Sequence, residues 1–143
     1  MHLHTLFFLF LGKIFKVFFR RAEFDKKYDL KTVKYRLKGS DKMPVMINTE
    51  GNTVTAHLSG EIDHHSAKEL RGEIDLAIER CRPDKLVLDF DGVTFMDSSG
   101  IGLVMGRYKA VKLCGGCVII ENTGSQIKKV MRLAGLDRLA MIK

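Results

Sequence analysis

Between residues 45 and 58 the chain alternates apolar with polar or smaller positions: Val45, Ile47 and Thr49, then, past Glu50-Gly51-Asn52, Val54, Ala56 and Leu58. A period of two broken by a glycine turn predicts a β-hairpin. Ser59 to His65 reads as a loop. Ser66-Ala67-Lys68-Glu69 follows with the spacing of a capping box, in which the serine accepts from a free helix N–H and the glutamate reaches back. Ala67, Leu70, Ile74, Ala77, Ile78 and Cys81 then recur at three and four, a helical face that runs to about Arg80 and cannot continue past Pro83.

Leu86-Val87-Leu88 is short, continuous and apolar, as in a strand covered on both faces, and Gly92 interrupts that run before Phe95 and Met96. Thr94 to Gly102 joins the end of the run to a second helical pattern, Ile101, Val104, Met105, Tyr108 and Val111, beginning near Ser99 and stopping at Gly115-Gly116. Cys117 to Ile120 reads as another buried strand. Ile127, Val130, Met131 and Ala134 mark a third helix, ended by Gly135 with Leu136 placed for a hydrophobic contact, and Leu139 to Ile142 forms a last short strand. Strands alternating with helices after an initial hairpin give an α/β layer fold with a mixed sheet, and 143 residues suffice for one such core.

Charge divides the chain. The net charge of +7 resides entirely in residues 1–42, which hold 11 Lys/Arg against 4 Asp/Glu, whereas residues 43–143 hold 13 of each. Seven of the nine Phe also lie in this leader, between Phe7 and Phe24. A neutral body therefore carries a basic, aromatic extension, and direct nucleic-acid binding is not expected of the body.

Leu6 to Leu11 is too short to span a bilayer, and the basic residues follow the apolar run where a signal peptide would place them before it. Two readings of residues 1–42 stand. Phe7, Leu11, Ile14, Phe15, Phe18 and Phe19 can form one face of an interfacial helix, which is the sole route to membrane contact. Alternatively the natural start is Met43, since Lys38 to Lys42 can be back-translated as a purine-rich ribosome-binding site; a native mass that includes Met1 to Lys42 would sink this reading.

Cys81, Cys114 and Cys117 are an odd set, consistent with reduced thiols in a cytoplasmic compartment. The CxxC spacing of Cys114 to Cys117 falls at a helix end, where the dipole does not lower a thiol pKa, and no second Cys/His pair completes a zinc site. A Gly-Gly helix stop is the simpler reading.

The chemistry-bearing stretch is Asp97-Ser98-Ser99-Gly100, where a chain leaving a strand turns into a helix. Ser98 can be read as a nucleophile, a phosphate acceptor or a helix N-cap. Histidines at 57, 64 and 65 leave a base available, but there is no G-x-S-x-G elbow, and the hydrolase reading is remote. Asp63-His64-His65 matches the signature of two-metal phosphoesterases without their companion aspartate motifs. Gly100, Gly102 and Gly106 match no phosphate-binding loop; Gly102 and Gly106 are expected to serve close helix packing. A phosphate on Ser98 would sit beside free helix N–H groups, whose dipole tolerates negative charge.

Gly60-Glu61-Ile62-Asp63-His64-His65-Ser66-Ala67 and Phe95-Met96-Asp97-Ser98-Ser99-Gly100-Ile101-Gly102, followed by Gly106-Arg107-Tyr108-Lys109, resemble the anti-sigma factor antagonists of the STAS family. The resemblance covers Met43 to Lys143 and ends before the terminal helix usual in that family. It implies a mixed sheet of four to five strands with helices packed on it, preceded by the N-terminal extension.

It also implies a non-enzymatic, cytoplasmic partner switch. The unphosphorylated protein would bind an anti-sigma factor that is also a serine kinase, releasing a sporulation sigma factor. That kinase would use ATP to phosphorylate Ser98, and a serine phosphatase would reverse the step; no cofactor or metal is implied for the chain itself. Gly60, Glu61, Ile62, Asp63, His64 and His65, with Asp97, Ser98, Ser99, Gly100 and Ile101, would form the docking face. The alternative within the family is another partner-switching circuit, such as general stress signalling or a membrane-associated complex.

Overall fold

The computed structural model describes residues 45–143, and the expectations for residues 1–42 lie outside them. The predicted hairpin is formed by β1 (Val45–Glu50) and β2 (Thr53–Ile62), paired antiparallel from Val45 opposite Leu58 to Glu50 opposite Thr53. Gly51 takes the positive φ (56°) that the short connection needs. β2 then runs on through Ile62, so residues 59–62 are strand, not loop. They pair in parallel with the distal half of β3 (Lys85–Met96), across two register shifts at His57/Ser59 and Gly60/Glu61.

Gly92 does not interrupt β3. It lies where β2 comes closest: a Cβ there would stand 2.9 Å from the Leu58 carbonyl oxygen, so the missing side chain is what lets the ladder continue. These irregularities break the apolar alternation while the backbone pairing persists, which is why the pattern read as a loop and a break.

The helices are α1 (His64–Cys81), α2 (Ser98–Leu113) and α3 (Ser125–Leu133), followed by a 3-10 turn at Leu136–Arg138. β4 (Cys117–Glu121) and β5 (Met141–Ile142) complete a five-stranded sheet of order β1-β2-β3-β4-β5, parallel except for the β1–β2 pair. Each parallel neighbour is reached by a helical crossover, the economical βαβ connection.

α1 buries Ala67, Leu70, Ile74 and Ile78, as its spacing predicts. Its cap differs from expectation. Asp63 is the N-cap, accepting from the Ser66 N–H at 2.9 Å, while the Ser66 hydroxyl accepts from the Asp63 N–H at 2.9 Å. The box is therefore Asp63/Ser66, three residues upstream of Ser66/Glu69, and it draws His64 and His65 into the first turn. Aspartate caps at least as well as serine and adds a negative charge at the positive end of the helix.

α2 is rotated from the predicted stripe. It buries Gly100, Leu103, Val104, Arg107 and Val111, and leaves Met105 37% exposed. Two contacts set the rotation. A Cβ on Gly100 would collide with Met96 Cγ, so the helix seats there only as glycine. Arg107, 7% exposed, turns inward to Asp75 of α1: Nη2 donates to Oδ2 at 3.1 Å, and Nε stands 2.7 Å from Oδ1 as an ion pair off the line of a hydrogen bond. Gly102 and Gly106 are not packing glycines, because a Cβ at either meets nothing within 4 Å. The predicted stop at Gly115-Gly116 holds, with Gly115 at φ 79°.

One face of the sheet, carrying Val45, Ile47, Val54, Ala56, Leu58, Leu86, Leu88, Phe90, Val118 and Ile120, forms the core with α1 and α2. On the opposite face, Asn48 Nδ2, His57 and Asp89 form a hydrogen-bonded row (3.2 and 2.7 Å), which Asn122 Nδ2 extends to Asp89 Oδ1 at 2.9 Å.

Candidate functional site

The two sequence motifs meet because β2 and β3 end together. Ile62 is in register with Met96, and the Asp97 N–H donates to the Ile62 carbonyl at 3.2 Å. Each strand then gives way at once to a helix whose N-cap is an aspartate, Asp63 for α1 and Asp97 for α2. Two helix N-termini thus open on one edge of the sheet, the carboxyl edge where α/β folds place their sites.

Asp97 Oδ1 accepts from the Ser99 N–H at 2.7 Å, and the Gly100 N–H donates to the Asp97 carbonyl at 3.1 Å. Asp97, not Ser98, is therefore the cap, and the N-cap reading of Ser98 is corrected. Ser98 is the first helical residue and is exposed, whereas Ser99 is half-buried. Spacing alone did not separate the two hydroxyls; the family resemblance singled out Ser98. The seating of α2 separates them in space: with Gly100 held against Met96 and Ile62, Ser98 faces out at the rim and Ser99 is turned partly toward the body.

Gly60, Glu61, His64 and His65 are exposed around Ser98's edge, and Asp63 is half-buried. The Ser66 backbone N–H, helped by the Ser66 hydroxyl, holds the Asp63 carboxyl below the usual range, so it is an anion at neutral pH. Ile62 and Gly100 lie beneath the face: Ile62 is fully buried, and Gly100 is closed in by Met96 and Ile62. Ile101 packs half-buried against the core. These three shape the surface from below. Phe95 was missed by sequence reasoning. Opposite Glu61 in register, it is 51% exposed, a large apolar side chain three residues from Ser98. The signal was its strand parity, since its neighbour Met96 is the one that turns inward.

Hydrolytic machinery is not assembled here. His57 is engaged by Asp89 and Asn48, and among the described residues no hydrogen bond joins a histidine to Ser98. His64 and His65 meet edge-on with ring centroids 6.2 Å apart. Among the described residues no group of three or more His, Cys, Asp or Glu is arranged to hold a metal. Cys114 is the C-cap of α2 and Cys117 opens β4, both as free thiols.

Residues 44–143 match the family profile described as STAS domain. The chain belongs to the STAS family. Its relatives include the anti-sigma F factor antagonist of Lysinibacillus sphaericus, 37% identical over 84 residues, covering 59% of this chain and 72% of that protein. The anti-sigma-B factor antagonist of Bacillus subtilis is 30% identical over 92 residues, covering 64% and 83%. Among solved structures, the Bacillus cell fate determinant SpoIIAA in its phosphorylated form superposes with a TM-score of 0.57 at 32% identity, covering 69% of this chain and 90% of that one. Within the STAS family this chain falls with the anti-sigma factor antagonists, regulatory proteins rather than enzymes. No helix among the described residues is long and apolar enough to cross a membrane.

Proposed function

We propose that this STAS protein binds, through the edge carrying Asp63 and Ser98, an anti-sigma factor that is itself a serine kinase. In doing so it frees a sporulation sigma factor of the sigma F branch. The kinase transfers the γ-phosphoryl group of its own ATP to the Ser98 hydroxyl, and a serine phosphatase restores the binding form in the cytoplasm. The observation carrying this reading is the division of labour at the turn: Asp97 makes the cap bond, leaving the exposed Ser98 hydroxyl at the rim beside Asp63.

Phosphate on Ser98 adds roughly −1.5 to −2 charges at pH 7. The N–H groups of α2 tolerate it, but it crowds a face already holding the Asp63 anion and Glu61, and repels a partner shaped for the neutral hydroxyl. The sigma F branch is favoured because relatives named as anti-sigma F antagonists reach 37% and 35% identity, against 30% for the anti-sigma-B relative.

The test is incubation with sigma F-type and sigma B-type kinases and ATP, with peptide mass mapping and binding measured together. Ser98 is expected to be the modified residue. Ser98→Ala should bind and resist release by ATP, while Ser98→Asp should bind at least tenfold more weakly, consistent with a like-charge penalty of about 1.4 kcal/mol or more. Modification confined to Ser99, or none with either kinase, overturns the assignment; reaction with the sigma B-type kinase alone moves the protein to the stress-response branch.

A further inference from the structure

The edge of the sheet opposite Ser98 has a different character. α2 returns the chain from the end of β3 to the start of β4, and α3 from the end of β4 toward β5, so both helices finish at the amino edge of the sheet. They lie on one face, burying Leu103, Val111, Ile127 and Met131 in a single core, and both touch the 3-10 turn at Leu136–Arg138. Their last turns repeat one pattern: Lys109-Ala110-Val111-Lys112-Leu113 closes α2, and Lys129-Val130-Met131-Arg132-Leu133 closes α3. At i, i+3 and i+4, the two basic residues and the leucine share one side of each helix. All six are exposed, Leu113 at 90% and Leu133 at 80%. Arg138-Leu139 adds a third basic–leucine step at the approach to β5, with Leu139 37% exposed.

The helix dipole accounts for lysine and arginine at these C-termini, but not for the leucines. A hydrophobic contact often closes a helix end, yet Leu113 and Leu133 keep most of their surface in water. The charge is unbalanced as well. α2 and α3 contain no Asp or Glu, and Glu121, the one acidic residue from Ser98 to Leu136, is paired with Lys143 at 3.0 Å. Arg107 is taken by Asp75, whereas Lys109, Lys112, Lys129 and Arg132 make no ion pair among the described residues. Residues 43–143 are neutral as a whole, so the molecule is polarised: Glu61, Asp63, Asp91 and Asp97 gather toward the Ser98 edge.

Charge and shape together select the occupant. A basic surface tipped with water-exposed leucines matches an anionic lipid bilayer, where leucine enters the acyl boundary and neighbouring basic side chains meet the headgroups. A nucleic acid would use the charge, but leucine neither stacks on a base as an aromatic ring does nor bonds a phosphate. A protein interface is built on a continuous apolar centre, and leucines on separate helix ends do not supply one.

We propose that the amino edge of the sheet docks on anionic phospholipid bilayers. Leu113 and Leu133 insert at headgroup depth, and Lys109, Lys112, Lys129 and Arg132 lie against lipid phosphates. β3 spans roughly 36 Å from Lys85 to Met96, so the docked protein presents its Ser98 edge away from the bilayer, open to partners. This contact belongs to the body of the protein and is separate from any made by residues 1–42.

The chain contains no tryptophan, so one placed at position 113 reports on that position alone. The test mixes full-length Leu113→Trp with vesicles of phosphatidylcholine containing phosphatidylglycerol and with vesicles of phosphatidylcholine alone; Phe95→Trp is the reporter on the opposite edge. Emission from Leu113→Trp should shift to the blue with the anionic vesicles only and return as salt is raised, while emission from Phe95→Trp stays constant. In co-sedimentation of the full chain, Lys112→Gln combined with Arg132→Gln should lower binding about 25-fold, near fivefold per charge. Leu113→Gln combined with Leu133→Gln should lower it at least tenfold. Circular dichroism establishes that each variant is folded. The proposal is overturned by a wild-type chain that does not sediment with anionic vesicles, by equal binding to neutral ones, or by an unshifted Leu113→Trp. Binding that neither double variant alters overturns it too and assigns the contact to residues 1–42, and a chain that binds RNA but not vesicles assigns the surface to nucleic acid. No kinase enters the readout, so the outcome is independent of the proposed function.

Discussion

The Ser98 turn assigns different work to four consecutive residues. Asp97 spends its carboxylate on the helix, Ser98 stays exposed at the rim, Ser99 supplies the capped N–H, and Gly100 allows the seat on Met96. Phe95, the first residue of the motif, belongs to the same surface although it is not among the expected docking residues. If the proposed docking edge is right, a half-exposed aromatic side chain beside it is a candidate to carry a large share of the binding energy. Phe95→Ser is therefore expected to weaken binding to the anti-sigma factor at least tenfold while changing the melting temperature little, since its removal opens no interior cavity. Calorimetric titration beside thermal unfolding checks this; equal binding by the variant would remove Phe95 from the interface.

Among elements, the contact between α1 and α2 decides how the two N-termini are held. Its polar tie is asymmetric: the Arg107 side chain is 8% exposed and that of Asp75 is 42% exposed. Removing the aspartate strands a guanidinium in the helix interface, whereas removing the arginine leaves a carboxylate that water can still reach. Breaking a buried pair from one side costs about 3–5 kcal/mol when the remaining charge cannot rehydrate. Asp75→Ala should accordingly approach the lower part of that range, and Arg107→Met, which keeps most of the buried volume, should cost distinctly less. Urea unfolding of the two variants gives the order; the reverse order would mean that Arg107 holds the helices chiefly by packing.

For the whole molecule, three carboxylates shape the response to pH. Burial pushes Asp89 up, but hydrogen bonds from Asn122, from the Asp91 N–H and from His57 outweigh it and leave the carboxyl below its ordinary value. Asp63 is lowered by Ser66. A carboxyl depressed in the folded state contributes stability that is present above its unfolded pKa and lost as pH falls through the folded one. Both contributions should therefore begin to fade near pH 4 and be lost as pH falls further, through the lowered folded values. Asp75 has the opposite sign: burial raises it against the pull of Arg107, so its contribution is present at low pH and lost as pH rises through the folded value. Asp89→Asn should lower the melting temperature at pH 7 and flatten its fall toward pH 3. An unchanged acid slope in that variant would show that the Asp89 bonds do not contribute.

Much of this protein is legible in one dimension. Period-two and period-3.6 patterns located the hairpin, α1, β4, α3 and the glycine stops, because burying one face of a strand or helix demands those spacings whatever the neighbours are. The motifs also marked both turns of the site and the family they resemble. The sequence could not show that residues 59–62 and Gly92 continue the sheet, since backbone pairing through a bulge leaves no alternation. Nor could it show which face of α2 turns inward: an arginine reads as surface until a carboxylate from a helix 32 residues away receives it. The cap at Asp97 and the exposure of Ser98 follow from where α2 seats on Met96 and Ile62, a contact between chain segments that only the folded molecule brings together.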